Sequence, residues 1–173
     1  PCLAAAVLST VRHAVDTVDG GPAFQLNLKV RELGALIGEV EMWRLRDIVA
    51  RGFGTLSAGD GRKEKEEPLE LAEEGTEVFI RRYTAGERPW IPFHCDAARL
   101  TVNIALCNES RFEGGQLLVV AGGSVVSVVR AEGEATVHAS TLLHGVSRMG
   151  HADDGERYSL IVFVGKAGVK APE

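Results

Sequence analysis

The sequence predicts a mainly β protein, a jelly roll of two facing sheets with helices packed against the outside of the larger one. Three observations lead there. A chain of 173 residues, 45% of them hydrophobic, has material for one sizeable core and leaves little for a second complete domain. Helical spacing of apolar residues is confined to the stretch ahead of Glu74-Gly75. Behind that point come eight short candidate strands separated by turns, a count that suits two sheets burying one another. The chain is accordingly read as one domain over 1–173, with helical support and a loop over 1–74, the β core with the candidate site over 75–166, and a tail over 167–173.

Each element has its own signal. From Ala4 to Val18 the residues Val7, Leu8, Val11, Ala14, Val15 and Val18 recur every three or four positions, as on an amphipathic helix, and Asp19-Gly20-Gly21-Pro22 stops it. Leu26, Leu28 and Val30 alternate as in a short strand. Leu36, Ile37, Val40, Trp43, Leu45 and Val49 then favour a helix, with Trp43 assigned to its buried face. Gly52, Gly54, Gly59 and Gly61 lead into a mixed-sign run, Arg62 to Glu67, that reads as a solvated loop. The strands follow at Val78–Tyr83, Ile91–Asp96, Leu100–Leu106, Gln116–Val120, Ser124–Arg130, Ala135–His138, Leu142–Val146 and Tyr158–Val164. Gly114 and Gly115 serve a tight turn or bulge with positive φ.

Composition narrows the class of function. A net charge of -5 and a pI near 5.6 argue against broad electrostatic attachment to nucleic acid. Three cysteines, Cys2, Cys95 and Cys107, cannot all pair within the chain and show no zinc-type spacing, so a disulfide-built secreted scaffold is disfavoured. No apolar run approaches the roughly 20 residues that span a bilayer. Cys2 to Leu8 lacks the basic flank of a signal peptide. The compartment stays open with the cytoplasm favoured, and a start at Pro1 without a methionine suggests a longer precursor or a trimmed chain, either of which would leave any targeting segment outside this sequence.

The chemistry concentrates in His94-Cys95-Asp96, in His144, and in Arg157-Tyr158-Ser159. Two histidines and one carboxylate form a ligand set for a non-haem Fe(II) centre that keeps coordination positions open. In an extended strand His94 and Asp96 would face the same way and Cys95 the other. Arg157 and Ser159 share a face by the same rule, and would suit an anion beside the metal. His138, six residues before His144, reads as a structural histidine or a support to the ligands in preference to a ligand; His13 and His151 read as surface residues.

Taken together, Arg82-Tyr83-Thr84-Ala85-Gly86 ahead of His94-x-Asp96, Phe112-Glu113-Gly114-Gly115-Gln116-Leu117 in the middle, and His144-Gly145-Val146 leading to Gly155-Glu156-Arg157-Tyr158-Ser159-Leu160 resemble the catalytic core of the 2-oxoglutarate- and Fe(II)-dependent oxygenases, in their prolyl 4-hydroxylase-like branch. The resemblance covers Tyr83 to Phe163, about half of the chain. It implies a double-stranded β-helix (cupin-like jelly roll) fold and a dioxygenase that couples hydroxylation of an unactivated C–H bond to decarboxylation of 2-oxoglutarate to succinate. The cofactors it implies are Fe(II), 2-oxoglutarate and O2, with ascorbate as an accessory reductant. His94, Asp96 and His144 would be the metal ligands. Arg157 would take the distal carboxylate of 2-oxoglutarate through two parallel hydrogen bonds. Much of the branch has lysine in that place, and thirteen residues from His144 to Arg157 is a longer spacing than usual, with Gly150 to Gly155 as the extra loop.

Four further positions stay open between chemistry and packing. Tyr83 is a cosubstrate ligand or a core tyrosine; Ser159 and Asn103 are polar groups turned into the site or ordinary strand residues; Trp90 is a pocket-mouth or loop residue. Because Asp96 retains its carboxylate, the resemblance favours hydroxylation over halogenation. The substrate would be a peptidyl proline, another protein residue or a small molecule. Two other readings stand beside this one: a cupin-like module that binds metal or ligand without redox turnover, and a degenerate oxygenase domain serving as a scaffold.

Overall fold

The computed structural model describes residues 15–59, 69–150 and 155–165. Nine strands, one long helix and one 3-10 turn make up the regular structure of these residues: β1 (Gln25–Leu28), α1 (Val30–Gly59), β2 (Thr76–Tyr83), β3 (Ile91–His94), β4 (Leu100–Ala105), the turn Glu109–Arg111, β5 (Leu117–Ala121), β6 (Ser124–Val128), β7 (Ala135–Ala139), β8 (His144–Val146) and β9 (Arg157–Val164). They form two antiparallel sheets, a larger one in the order β1-β2-β9-β4-β7 and a smaller one in the order β3-β8-β5-β6. The jelly roll expected from the strand count is borne out, with strand ends shifted by a residue or two.

Strand alternation decides what each face of the larger sheet does. Val78 and Ile80 of β2, Leu100 and Val102 of β4, and Leu160, Val162 and Val164 of β9 turn outward and meet Val30, Leu33, Met42, Leu45 and Val49 of α1. This is the principal core, and each fully buried aliphatic side chain in it contributes about 1.5–3 kcal/mol relative to exposure. The inner face, toward the smaller sheet, carries Arg81 and Tyr83, Thr101 and Asn103, His138, Arg157 and Ser159. Strand β9 lies between β2 and β4, and seven of its eight residues are buried. Its near-continuous apolar run follows from having both faces covered.

Two helical expectations are corrected. The helix read over Ala4–Val18 falls mostly outside the described residues, and its last part is not helical: Val15 bridges Pro22 and a turn follows. The side chain of Asp16 is drawn inward there, where it pairs with Arg81 and Arg88. Trp43, assigned to the core, is 66% exposed. Gly38, with φ 82 and ψ 170, breaks α1 in two. The break resets the phase of the buried stripe, so that Met42, Leu45 and Val49 face the sheet while Leu36, Val40 and Trp43 face outward. The charged run Arg62–Glu67, His13, and His151 with most of the loop expected between Gly150 and Gly155 lie outside the described residues.

Candidate metal centre

His94 closes β3 and His144 opens β8, and the two are direct cross-strand partners. Reaching that register takes three steps along β3 from Ile91 and two along β8 from Val146, so β3 bulges between them. Gly145 lies opposite the bulge. A β-carbon there would stand 2.9 Å from the Ile91 carbonyl oxygen and 3.2 Å from the Phe93 nitrogen, so the glycine of His144-Gly145-Val146 admits the backbone that carries His94 into place.

Asp96 arrives by another route than strand alternation. Strand β3 ends at His94, and Asp96 lies in the following loop, where its N–H donates to the Ser140 carbonyl and its Oδ2 accepts from the Thr101 hydroxyl at 2.6 Å. The backbone leaves the strand because its next partner is the β7–β8 connection. Cys95 is exposed, as expected. One ligand atom from each of His94, Asp96 and His144 lies within 4.8 Å of the others, with Nε2 of His94 3.5 Å from Asp96 Oδ1 and Nε2 of His144 3.6 Å from Oδ2. These separations suit donors arranged around one ion.

The imidazoles are oriented from behind. Nδ1 of His94 lies 2.8 Å from the Pro92 carbonyl, and Nδ1 of His144 lies 3.0 Å from the Leu142 carbonyl. A carbonyl can only accept, so each Nδ1 carries the proton and each Nε2 presents a lone pair toward Asp96. Burial disfavours charge on all three groups, with different outcomes. For His94, Asp96 and the Pro92 carbonyl outweigh burial and the repulsion of Arg81, and its pKa is raised. For His144, burial prevails over Leu142 and Asp96, and its pKa is lowered. Burial raises the Asp96 pKa, but the close His94 imidazole, the Thr101 hydroxyl and the neighbouring imidazoles outweigh it, and the carboxyl is held below its ordinary value.

Beyond the triad lies an arginine pair sharing one carboxylate. Arg157, 1% exposed, donates Nε and Nη2 to Glu109 Oε1 at 3.0 and 2.6 Å. Arg130 grips both oxygens of the same carboxylate and turns its Nη1 to the Asn103 carbonyl and Oδ1. The Glu109 pKa is lowered, since the two guanidiniums outweigh burial. Two cations and one anion leave a net positive charge in a buried place. Arg157 Nη1 and Ser159 Oγ have no hydrogen-bond partner among the described residues, and the Arg157 guanidinium stacks over Tyr83 at 4.7 Å.

The sequence-predicted residues thus divide. His94, Asp96 and His144 converge; Tyr83 and Asn103 line the same cavity; Arg157 and Ser159 lie outside its lining, on the same sheet face, with Arg157 stacked on Tyr83 and an unsatisfied donor on each. The guanidinium edge expected to grip a carboxylate is already taken by Glu109, so the Nη1 end is what remains. Trp90 is exposed and stacks on Arg148 outside the cavity lining. Arg81, which sequence reasoning missed, lines the cavity from β2. Its place two residues before Tyr83 on the same strand was the available signal. Glu109 and Arg130 were also missed, and neither belongs to a pattern that points at the site.

The donor set fits a divalent metal: three oriented donors, one anionic, in a cavity of about 30 Å³. It also fits an anionic cosubstrate in its unsatisfied donors, while the small free volume requires lining side chains to draw apart as a larger guest enters.

No protein-family model matches the sequence, and no curated protein matches it. Solved structures do. A prolyl-4-hydroxylase from Pseudomonas putida superposes with a TM-score of 0.59 at 19% identity, over 96% of this chain and 85% of that one. The fold is that of a prolyl 4-hydroxylase. A prolyl 4-hydroxylase from Phytophthora capsici gives a TM-score of 0.53 at 20% identity over 86% of this chain, which spans only 49% of that longer protein. At these identities the likeness is one of fold, in keeping with the resemblance carried by the motifs. No helix among the described residues is long and apolar enough to cross a membrane.

Proposed function

We propose that this chain is a 2-oxoglutarate- and Fe(II)-dependent dioxygenase that hydroxylates an unactivated C–H bond. The observation that carries the reading is the convergence of His94, Asp96 and His144 beside a buried, net-positive arginine pair whose Arg157 Nη1 and neighbouring Ser159 Oγ lack partners. His94, Asp96 and His144 would hold the iron, which supplies the oxidising chemistry once it has its cosubstrate and O2. Pro92 and Leu142 keep the two imidazoles in the tautomer that binds, and Thr101 fixes the carboxylate. Arg157 and Ser159 would take the distal carboxylate of 2-oxoglutarate, with Tyr83 packed beneath the guanidinium and Asn103 on the adjacent strand. Ascorbate would keep the iron reduced. A peptidyl prolyl or other protein residue is the substrate class suggested by fold and motif, with a small molecule as the alternative.

A second reading, a cupin-like metal module without turnover, draws on one observation: Glu109 already occupies one edge of Arg157. Protein supplied with Fe(II), ascorbate and 2-oxoglutarate, together with candidate peptides, is expected to release succinate well above a His144→Ala control. Equal release from both proteins would favour the module.

A further inference from the structure

We infer that the free edge of strand β6 is a self-pairing surface, along which two copies of this chain form a dimer about a two-fold axis through Ser127. Strand β6 ends the smaller sheet, and no described strand follows it on its open side. Both of its faces are open as well: Val125 is 60% exposed, Val126 45%, and Val129, just past the strand, 54%. An unpaired edge is a template for another strand, and native edges are commonly blunted by charge, proline or a bulge. Strand β3, at the opposite edge of the same sheet, carries Pro92 and a bulge. Strand β6 has no proline, no register shift and no charged residue between Gly123 and Arg130.

Backbone parity fixes which groups the edge offers. Gly122 and Gly123, with φ 57° and 79°, make the two-residue turn that joins Ala121 to Ser124. Val120, opposite Val125, sends its N–H the other way, to the Leu143 carbonyl. Such a pair exchanges no hydrogen bonds within the hairpin, so the N–H and C=O of Val125, and by alternation those of Ser127 and Val129, point out from the sheet edge. The side chains along this stretch read Val-Val-Ser-Val-Val in either direction. A two-fold axis at Ser127 sets Ser127 against its own copy, Val125 against Val129 and Val126 against Val128. Every valine then meets a valine, and the outward backbone groups meet one another. That self-complementarity selects a second copy over an unrelated peptide as the partner. Charge agrees with it. At a net charge of -5 two copies repel over much of their surface, and an uncharged strand is where approach costs least. Arg130, the first charge beyond it, is committed to its own Glu109. Val125 to Val129 is far short of the roughly 20–30 residues a side of a standard interface, so the dimer is weak and dissociates on dilution. Strand β6 contributes no residue to the metal-site cavity, so this pairing stands apart from the chemistry proposed above.

Sedimentation velocity on the full chain, from low-micromolar to near-millimolar concentration, tests the pairing. A monomer–dimer equilibrium is expected, weakened about tenfold or more in Ser127→Lys, which sets two like charges directly opposite each other. A monomer at every concentration, or a dimer that Ser127→Lys leaves unchanged, would overturn the proposal. Cross-linking gives a second measurement that does not depend on the lysine variant folding. Only residue 127 faces itself across the axis, at a separation that a disulfide spans, so oxidised Ser127→Cys is expected to become a covalent dimer. Val125→Cys and Val129→Cys are expected to cross-link slowly alone and faster when mixed. Ser127→Cys that cross-links no faster than the unmodified protein, with its native cysteines, would refute the two-fold register and the proposal with it.

Discussion

Glu109 Oε1 accepts two hydrogen bonds from Arg157, and this one oxygen ties a 3-10 turn to the first residue of β9. Both side chains are 1% exposed, and Arg130 completes the cluster from the other side. Removing the charge in Glu109→Gln leaves two buried guanidiniums facing each other. The expected loss, on the order of 3–5 kcal/mol for breaking a buried pair, should appear as a lowered denaturation midpoint.

The same carboxylate makes stability depend on acidity. Its folded pKa is lowered from the ordinary 4.5, so its contribution is fully present above that value and is lost as pH falls through the lower, folded one. Thermal melts from neutral pH down through the acid range should fall more steeply for the unmodified protein than for Glu109→Gln. Parallel curves would assign acid sensitivity to other groups.

Arg157→Ala removes the free Nη1 and also leaves Glu109 paired with Arg130 alone. Binding of 2-oxoglutarate, measured by calorimetry on the Mn(II)-loaded protein, should weaken by roughly 2–5 kcal/mol, the cost of truncating one member of a buried charge pair. Unchanged affinity would pass the anion to Arg81, the arginine that lines the cavity.

Asp96→Ala removes the anionic donor at the centre of the site. Retained Mn(II), read as stoichiometry after gel filtration, should fall well below one per chain, while His94→Ala and His144→Ala each weaken binding with the carboxylate still present. Full occupancy in Asp96→Ala would take that residue out of the ligand set.

Two adjacent glycines should respond unequally. A β-carbon on Gly114 would lie 1.9 Å from the Arg148 carbonyl oxygen, whereas on Gly115 it would meet the flexible Met149 Sδ at 2.4 Å and Arg157 Cδ at 3.3 Å. Both have positive φ, 74° and 70°. Gly114→Ala should therefore be the more destabilising, since backbone cannot step aside, while Gly115→Ala should cost less stability and more 2-oxoglutarate affinity. Denaturation midpoints and cosubstrate titrations on the two variants separate these effects.

What could be read in the sequence was what depends on near neighbours. Alternation placed Arg157 with Ser159 and Thr101 with Asn103 on common faces, and all four do face the inner side of the larger sheet. His94 and Asp96 do converge, though not by strand alternation, because a strand end has no signature as sharp as its alternation and the loop is set by a contact with Ser140. Trp43 was misplaced because one glycine, Gly38, shifts the helical phase, which a count of apolar spacings averages over. Glu109 and Arg130 were invisible for a different reason. Glu109 meets Arg157 across 48 residues of chain and Arg130 meets Glu109 across 21, and neither contact leaves a local pattern.

The carbonyls that fix the two imidazoles lie two residues before His94 and two before His144. Every ring is thus aimed by its own short stretch of backbone, with no borrowed side chain. The aim of the donors is then insulated from side-chain replacement over most of the surface, and loops that choose a substrate are free to vary without disturbing it. Such a centre would tolerate drift in sequence while keeping its geometry, which accords with a fold that persists at 19% identity to the Pseudomonas protein.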